Sequence, residues 1–174
     1  YHPFKGCTAL RNINIGPVVQ SLPLFAFYNL PVKHVTLGND LTFLPSYCFY
    51  NCDRLDSINI TAPVTSLGRY TFYNCDSLKR VYFPSTLTSI GRYDFSGCTQ
   101  LSEVTIPQTV TALYDGAFQN CTSLSTLNWN PQNMSYYQCY GNYSNPQNMD
   151  ATSEADNYHP FKGCTALQNI NIGP

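Results

Sequence analysis

Eight cysteines and three histidines are the residues of this 174-residue chain best suited to chemistry. Thiolates bind zinc, attack acyl groups or close disulfides, and a histidine beside one would activate it. The spacing argues against a zinc or nucleophile site. No Cys-x-x-Cys pair is present, so zinc lacks its usual seed. His2 and His159 occupy one place in two copies of Tyr-His-Pro-Phe, and His34 lies at an outward position of an alternating segment. No Ser-His-Asp or Cys-His arrangement recurs, and the carboxylates share no defined spacing. A Gly-rich phosphate loop and an Asp-rich calcium loop are both missing. The chain is expected to be no enzyme and to use no metal or other cofactor.

Six of the eight cysteines instead mark one column of a repeat. Phenylalanine recurs at Phe4, Phe27, Phe49, Phe72, Phe95, Phe118 and Phe161, and three residues on stand Cys7, Leu30, Cys52, Cys75, Cys98, Cys121 and Cys164. An apolar triplet spaced L-x-x-I-x-I follows, as in Leu55-Ile58-Ile60 and Leu101-Val104-Ile106. Four residues later comes an apolar pair: Val19-Leu22, Leu41-Leu44, Val64-Leu67, Leu87-Ile90, Val110-Leu113.

The elements that hold these columns follow from the pattern. Alternating β-branched residues predict a short strand with one face in and one face out. Gly or Pro closes it, at Gly16-Pro17, Gly38, Pro84 and Pro107. A rung of 22–23 residues buries its apolar side only against its neighbours. The expected fold is a mainly β solenoid of about seven rungs over residues 1–174, with one short parallel strand per rung. Turns or a single helical turn should form the opposite wall, around Gly68-Arg69-Tyr70 and Gly91-Arg92-Tyr93. Leu30 substitutes within the cysteine column, so the ladder reads as buried free thiols acting as small hydrophobes. Cys48 shares a column with Ala26, Thr71, Asp94 and Ala117; Cys139 lies outside the ladder, either free or bonded to a ladder cysteine or to a neighbouring block.

The chain is 43% hydrophobic and 11% charged, with net charge −1, which argues against a nucleic-acid surface. No apolar run approaches the ~18 residues of a membrane span, so no membrane insertion is expected of this segment. The opening YHPFKGCTAL lacks the charged-then-apolar pattern of a signal peptide.

The string I-G-x-x-x-F-x-x-C-x-x-L-x-x-V-x-I-P-x-x-V-x-x-L resembles the BspA-like class of leucine-rich repeats, and Ile90 through Leu113 is a nearly complete copy. The resemblance covers 1–129 and 158–174. It implies a right-handed leucine-rich-repeat solenoid, found in bacterial and protist surface proteins that are often very large, linked to adhesion and without catalysis. Leu30 in the cysteine column, Pro23 and Pro45 in a glycine column, and a long insertion depart from the family pattern.

A second period overlies the first. Residues 1–17 and 158–174 differ only at Arg11 and Gln168, at an offset of 157 that equals six rungs. Near identity across 157 residues, against divergence between rungs, points to duplication of a six-rung block. The chain then reads as one block plus the start of the next. Six rungs at ~4.8 Å advance ~29 Å per block. Between them, 130–157 lacks the triplet and repeats N-P-Q-N-M, so it reads as an irregular loop insertion.

Two surfaces are candidates for contact. The outward strand positions are polar, and Lys79, Arg80 and Tyr82 form their best local cluster. Tyr136, Tyr137, Tyr140 and Tyr143 form a candidate contact loop. Asn59, Asn120, Asn133 and Asn142 begin Asn-x-Ser/Thr sequons, candidate sites for N-linked glycans. The primary reading is a structural repeat unit of a large extracellular or cell-surface protein, a spacer, coat or filament shaft. Its partners would be adjacent copies of the same repeat, in the chain or end to end. The alternative is an adhesin-type module that binds a host protein or glycan through the strand face or the tyrosine loop.

Overall fold

The computed structural model describes residues 2–132 and 159–173. Eleven short strands follow one another: β1 (Asn12–Asn14), β2 (His34–Thr36), β3 (Phe43–Leu44), β4 (Ser57–Asn59), β5 (Ser66–Leu67), β6 (Arg80–Tyr82), β7 (Ser89–Ile90), β8 (Glu103–Ile106), β9 (Ala112–Leu113), β10 (Thr126–Trp129) and β11 (Asn169–Ile172). All strand pairs are parallel. The triplet strands lie on one wall and pair as β1–β2, β4–β6 and β8–β10–β11. Register follows the sequence columns: Ile13 faces Val35, Ile58 faces Val81, and Leu127 faces both Val104 and Ile170. β11 pairs with β10 in the same register although 43 residues separate Thr126 from Asn169. The ladder therefore closes across the long rung as it does across the short ones.

One feature differs from the sequence reading. The second apolar pair forms its own ladder, β3–β5–β7–β9, of two-residue strands. Spacing of three between the apolar residues hid this, because alternation is the usual strand signal. Its leucines and isoleucine are buried and its other positions face outward. The opposite wall is made of turns, and no helix occurs among the described residues. These turns are cross-linked too: the amides of Tyr70, Phe72 and Asn74 donate to the carbonyls of Arg92, Asp94 and Ser96 on the next rung, at 2.8–2.9 Å. Backbone groups are thus satisfied between rungs on every wall, which a solenoid without helices needs.

The core is a stack of repeated columns. Phe49, Phe72, Phe95 and Phe118 are fully buried. Successive rings of the column from Phe4 to Phe161 stack 5.1–5.6 Å apart. The cysteines beside them are free and do more than fill space. Cys52, Cys75, Cys98 and Cys121 donate Sγ–H to the carbonyls of Phe27, Phe49, Phe72 and Phe95 on the preceding rung, at 3.1–3.2 Å. Burial pushes the Cys52 thiol up to about 12, against a lowering backbone hydrogen bond. Such thiols stay protonated at neutral pH and are poor nucleophiles.

Candidate interaction surfaces

The strand face is polar by construction, because every second residue of a strand points to solvent. Asn12, Asn14, Ser57, Asn59, Arg80 and Tyr82 are exposed, while Ile13, Ile58 and Val81 between them are buried. Of the cluster singled out by sequence, Arg80 and Tyr82 project side by side from β6. Lys79 is committed elsewhere: its ammonium pairs with Asp56 one rung away, at 3.1 Å. That hydrogen bond and the Lys79 charge hold the Asp56 carboxyl below its usual range. Further along, side chains bond to each other across rungs. Asn171 donates to Asn128 at 2.7 Å, and Asn128 to Glu103 at 2.8 Å.

Asn59 is exposed on β4 beside Tyr82 of β6, its register partner. Asn120 is exposed on the turn wall. Asn133, Asn142, Cys139, Tyr136, Tyr137, Tyr140 and Tyr143 lie outside the described residues. Among the described residues, no group of three or more His, Cys, Asp or Glu is placed to hold a metal ion. No helix there is long and apolar enough to cross a membrane.

The turn wall carries a surface that sequence reasoning missed. Two columns of aromatic rings run along it. The first stacks Phe25, Tyr47, Tyr70 and Tyr93 at 4.7, 5.1 and 5.2 Å. The second stacks Tyr28, Tyr50 and Tyr73 at 5.0 and 4.9 Å. Partial burial, and then the neighbouring tyrosines, raise the Tyr50 hydroxyl above its ordinary value. All four residues of the first column have left-handed backbone, with φ of 55–60°. Each such aromatic costs about 1–2 kcal/mol relative to ordinary backbone, which ring stacking and the inter-rung hydrogen bonds offset. Gly116 follows in this column with φ 59°, and a Cβ there would run into the edge of the Tyr93 ring.

A second left-handed column was legible. Asn29, Asn51, Asn74 and Asn120 have φ of 53–59°, and Gly6, Gly97 and Gly163 stand at equivalent places with φ of 75–89°. Asn and Gly sharing a column is the signature of left-handed backbone. Two carboxylates, Asp94 and Asp115, are buried, and Asp94 accepts from the backbone amides of Thr71 and Gly91. Burial pushes its carboxyl up to about 7, although those hydrogen bonds oppose the shift.

Comparison with known proteins matches this architecture. The family profile described as "BspA type Leucine rich repeat region" matches in six copies over residues 1–87 and 65–174. Among curated protein sequences none matches. A leucine-rich-repeat protein of T. pallidum is similar in structure, with TM-score 0.70 and 21% identity over 93% of this chain and 69% of that one. A leucine-rich-repeat protein from Bacteroides ovatus gives TM-score 0.54 and 20% identity, over 99% of this chain and 58% of that one. A leucine-rich cell surface protein from Faecalibacterium prausnitzii gives 0.49 and 17%, over 99% and 62%. With its profile matched from end to end and its columns in the register just described, the chain belongs to the BspA-type leucine-rich-repeat family.

Proposed function

We propose that the chain is a non-enzymatic structural unit that stacks block on block in an extracellular or cell-surface array, as a spacer, coat or shaft. One observation carries this reading. Residues 12–15 and 169–172 share the sequence Asn-Ile-Asn-Ile, yet Ile13 and Ile15 are 8% and 7% exposed while Ile170 and Ile172 are 58% and 79% exposed. β2 covers β1, and because residues 158–174 repeat residues 1–17, a rung like β2 is what the repeat would place against β11. The outer edge of β11 is the edge that a rung of this type covers. Its natural occupant is a rung from an adjacent copy of the same block. Apolar side chains beside unpaired strand groups favour such addition. The surface setting rests on the family resemblance. Asn59 and Asn120 would carry glycans there without entering the core.

Sedimentation tests the stacking. The chain should associate end to end as concentration rises, and Ile170→Lys/Ile172→Lys should remain monomeric. A wild-type chain that stays monomeric at every concentration would remove the proposal. The second reading, an adhesin face for a protein or glycan, is favoured only by Arg80 and the 53% exposed Tyr82, since Lys79 is tied to Asp56.

A further inference from the structure

Two columns of the repeat mark the junction between blocks. One is the left-handed place on the turn wall, which holds Asn or Gly in every rung. The other is the place just after each triplet strand, where Gly16, Gly38, Thr61, Pro84, Pro107 and Asn130 stand. Counting rungs from that of Phe4, rung six is the one rung of the block with Asn in both columns, at Asn120 and Asn130. Rung one is the one rung with Gly in both, at Gly6 and Gly16, and its copy beyond the long rung has Gly163 and Gly173.

The structure contains one such junction. β11 lies in register on β10, which sets Gly173 against Asn130. The carboxamide oxygen of Asn130 occupies the space that a Cβ on Gly173 would need, and that of Asn120 does the same at Gly163. At Gly6 and Gly16 the equivalent seats are open, because a Cβ on either would meet nothing within 4 Å. The turn-wall pair alone is permissive: Asn74 meets Gly97 in this way inside the block, and Asn51 and Asn74 are neighbours in the same column. The pair after the strand is selective. Thr61, Pro84 and Pro107 occupy this column elsewhere, so its backbone does not require glycine. Glycine is needed at Gly173 for the space that Asn130 fills.

We infer that Asn130, backed by Asn120, is the positioning residue that selects which rung can follow rung six: its carboxamide seats over a glycine and collides with a side chain there. The occupant of the open seats at Gly6 and Gly16 is then rung six of a second copy of the block, with its Phe118 on Phe4 as Phe118 lies on Phe161 here, at 5.3 Å. The inference rests on the block-on-block reading and adds order and direction to it. Only rung six against rung one sets Asn over Gly in both columns.

Hydrogen exchange followed by NMR on the full chain tests this. The amides of Asn169 and Gly173 donate to the carbonyls of Ser125 and Trp129 on rung six, so they report docking of the rung that follows. Gly173→Thr should lower their protection by roughly tenfold or more, the effect of an overpacked contact, while the amides of β8 keep theirs. Gly16→Thr makes the same change at an open seat and should leave protection between β1 and β2 unaltered. Adding Asn130→Gly to Gly173→Thr should restore the β11 amides, because it recreates the Gly38 and Thr61 pair of rungs two and three. The inference is overturned if Gly173→Thr leaves these amides protected, if Gly16→Thr is equally damaging, or if Asn130→Gly brings no recovery. The junction tested lies within one chain, so this result and the sedimentation result can fail separately.

Discussion

Replacing Phe72 with alanine should cost about 3–5 kcal/mol of unfolding free energy, the usual range for a buried aromatic. Phe72 is fully buried, with Phe49 and Phe95 stacked on its two faces at 5.3 and 5.1 Å. Its removal opens a cavity between two rungs that neither neighbour can fill without breaking register. In a solenoid each rung is stabilised by the rungs beside it, so a central defect uncouples the two halves. Phe4→Ala is the internal control. Phe4 is 43% exposed and has one ring neighbour, Phe27, so its loss should cost about 1 kcal/mol. Urea unfolding of both variants checks the contrast. Equal effects would mean that the phenylalanine column is not the spine of the fold.

The second large effect is set by pH. The buried Asp94 carboxyl is raised to about 7 by desolvation, while an unfolded chain titrates near 4. The folded state therefore holds this proton more tightly than the unfolded state does. The stability it confers is complete below about pH 4, declines as pH rises, and is gone above about pH 7. The total amounts to about 4 kcal/mol. Asp94→Ala places in this column the residue found at Ala26 and Ala117. It adds an offset for lost volume and lost hydrogen bonds, but it removes this titration. The stability of the natural chain relative to Asp94→Ala should fall between pH 4 and pH 7.5. A difference that is flat, or that rises with pH, would contradict the burial of an uncompensated carboxyl.

The repeat made much of the architecture legible. Columns of Phe, Cys and L-x-x-I-x-I impose one rung geometry, and β1 to β11 along the triplet wall lie in the register those columns give. Less legible was whatever depends on contacts between rungs rather than along them. The β3–β5–β7–β9 ladder uses pairs such as Leu41-Leu44, which carry no alternation. The tyrosine columns escaped because Tyr47, Tyr70 and Tyr93 take a left-handed conformation that bulky residues avoid. Only the stack and the inter-rung hydrogen bonds hold them there. The cysteine column was read by size, whereas its chemistry is an S–H donated to a carbonyl one rung away. Lys79 looked available for a partner on its own strand. Asp56 stands one repeat earlier in sequence, so the pairing is visible once the chain is wrapped.

Block-to-block stacking through the open edge of β11 is the central claim, and cryo-electron microscopy of the native protein tests it most directly. Continuous rods should appear, with strand layers ~4.8 Å apart and a feature recurring every ~29 Å along the axis, modified only by supercoiling. Separate particles about 30 Å long, with the β11 edge facing solvent, would contradict it.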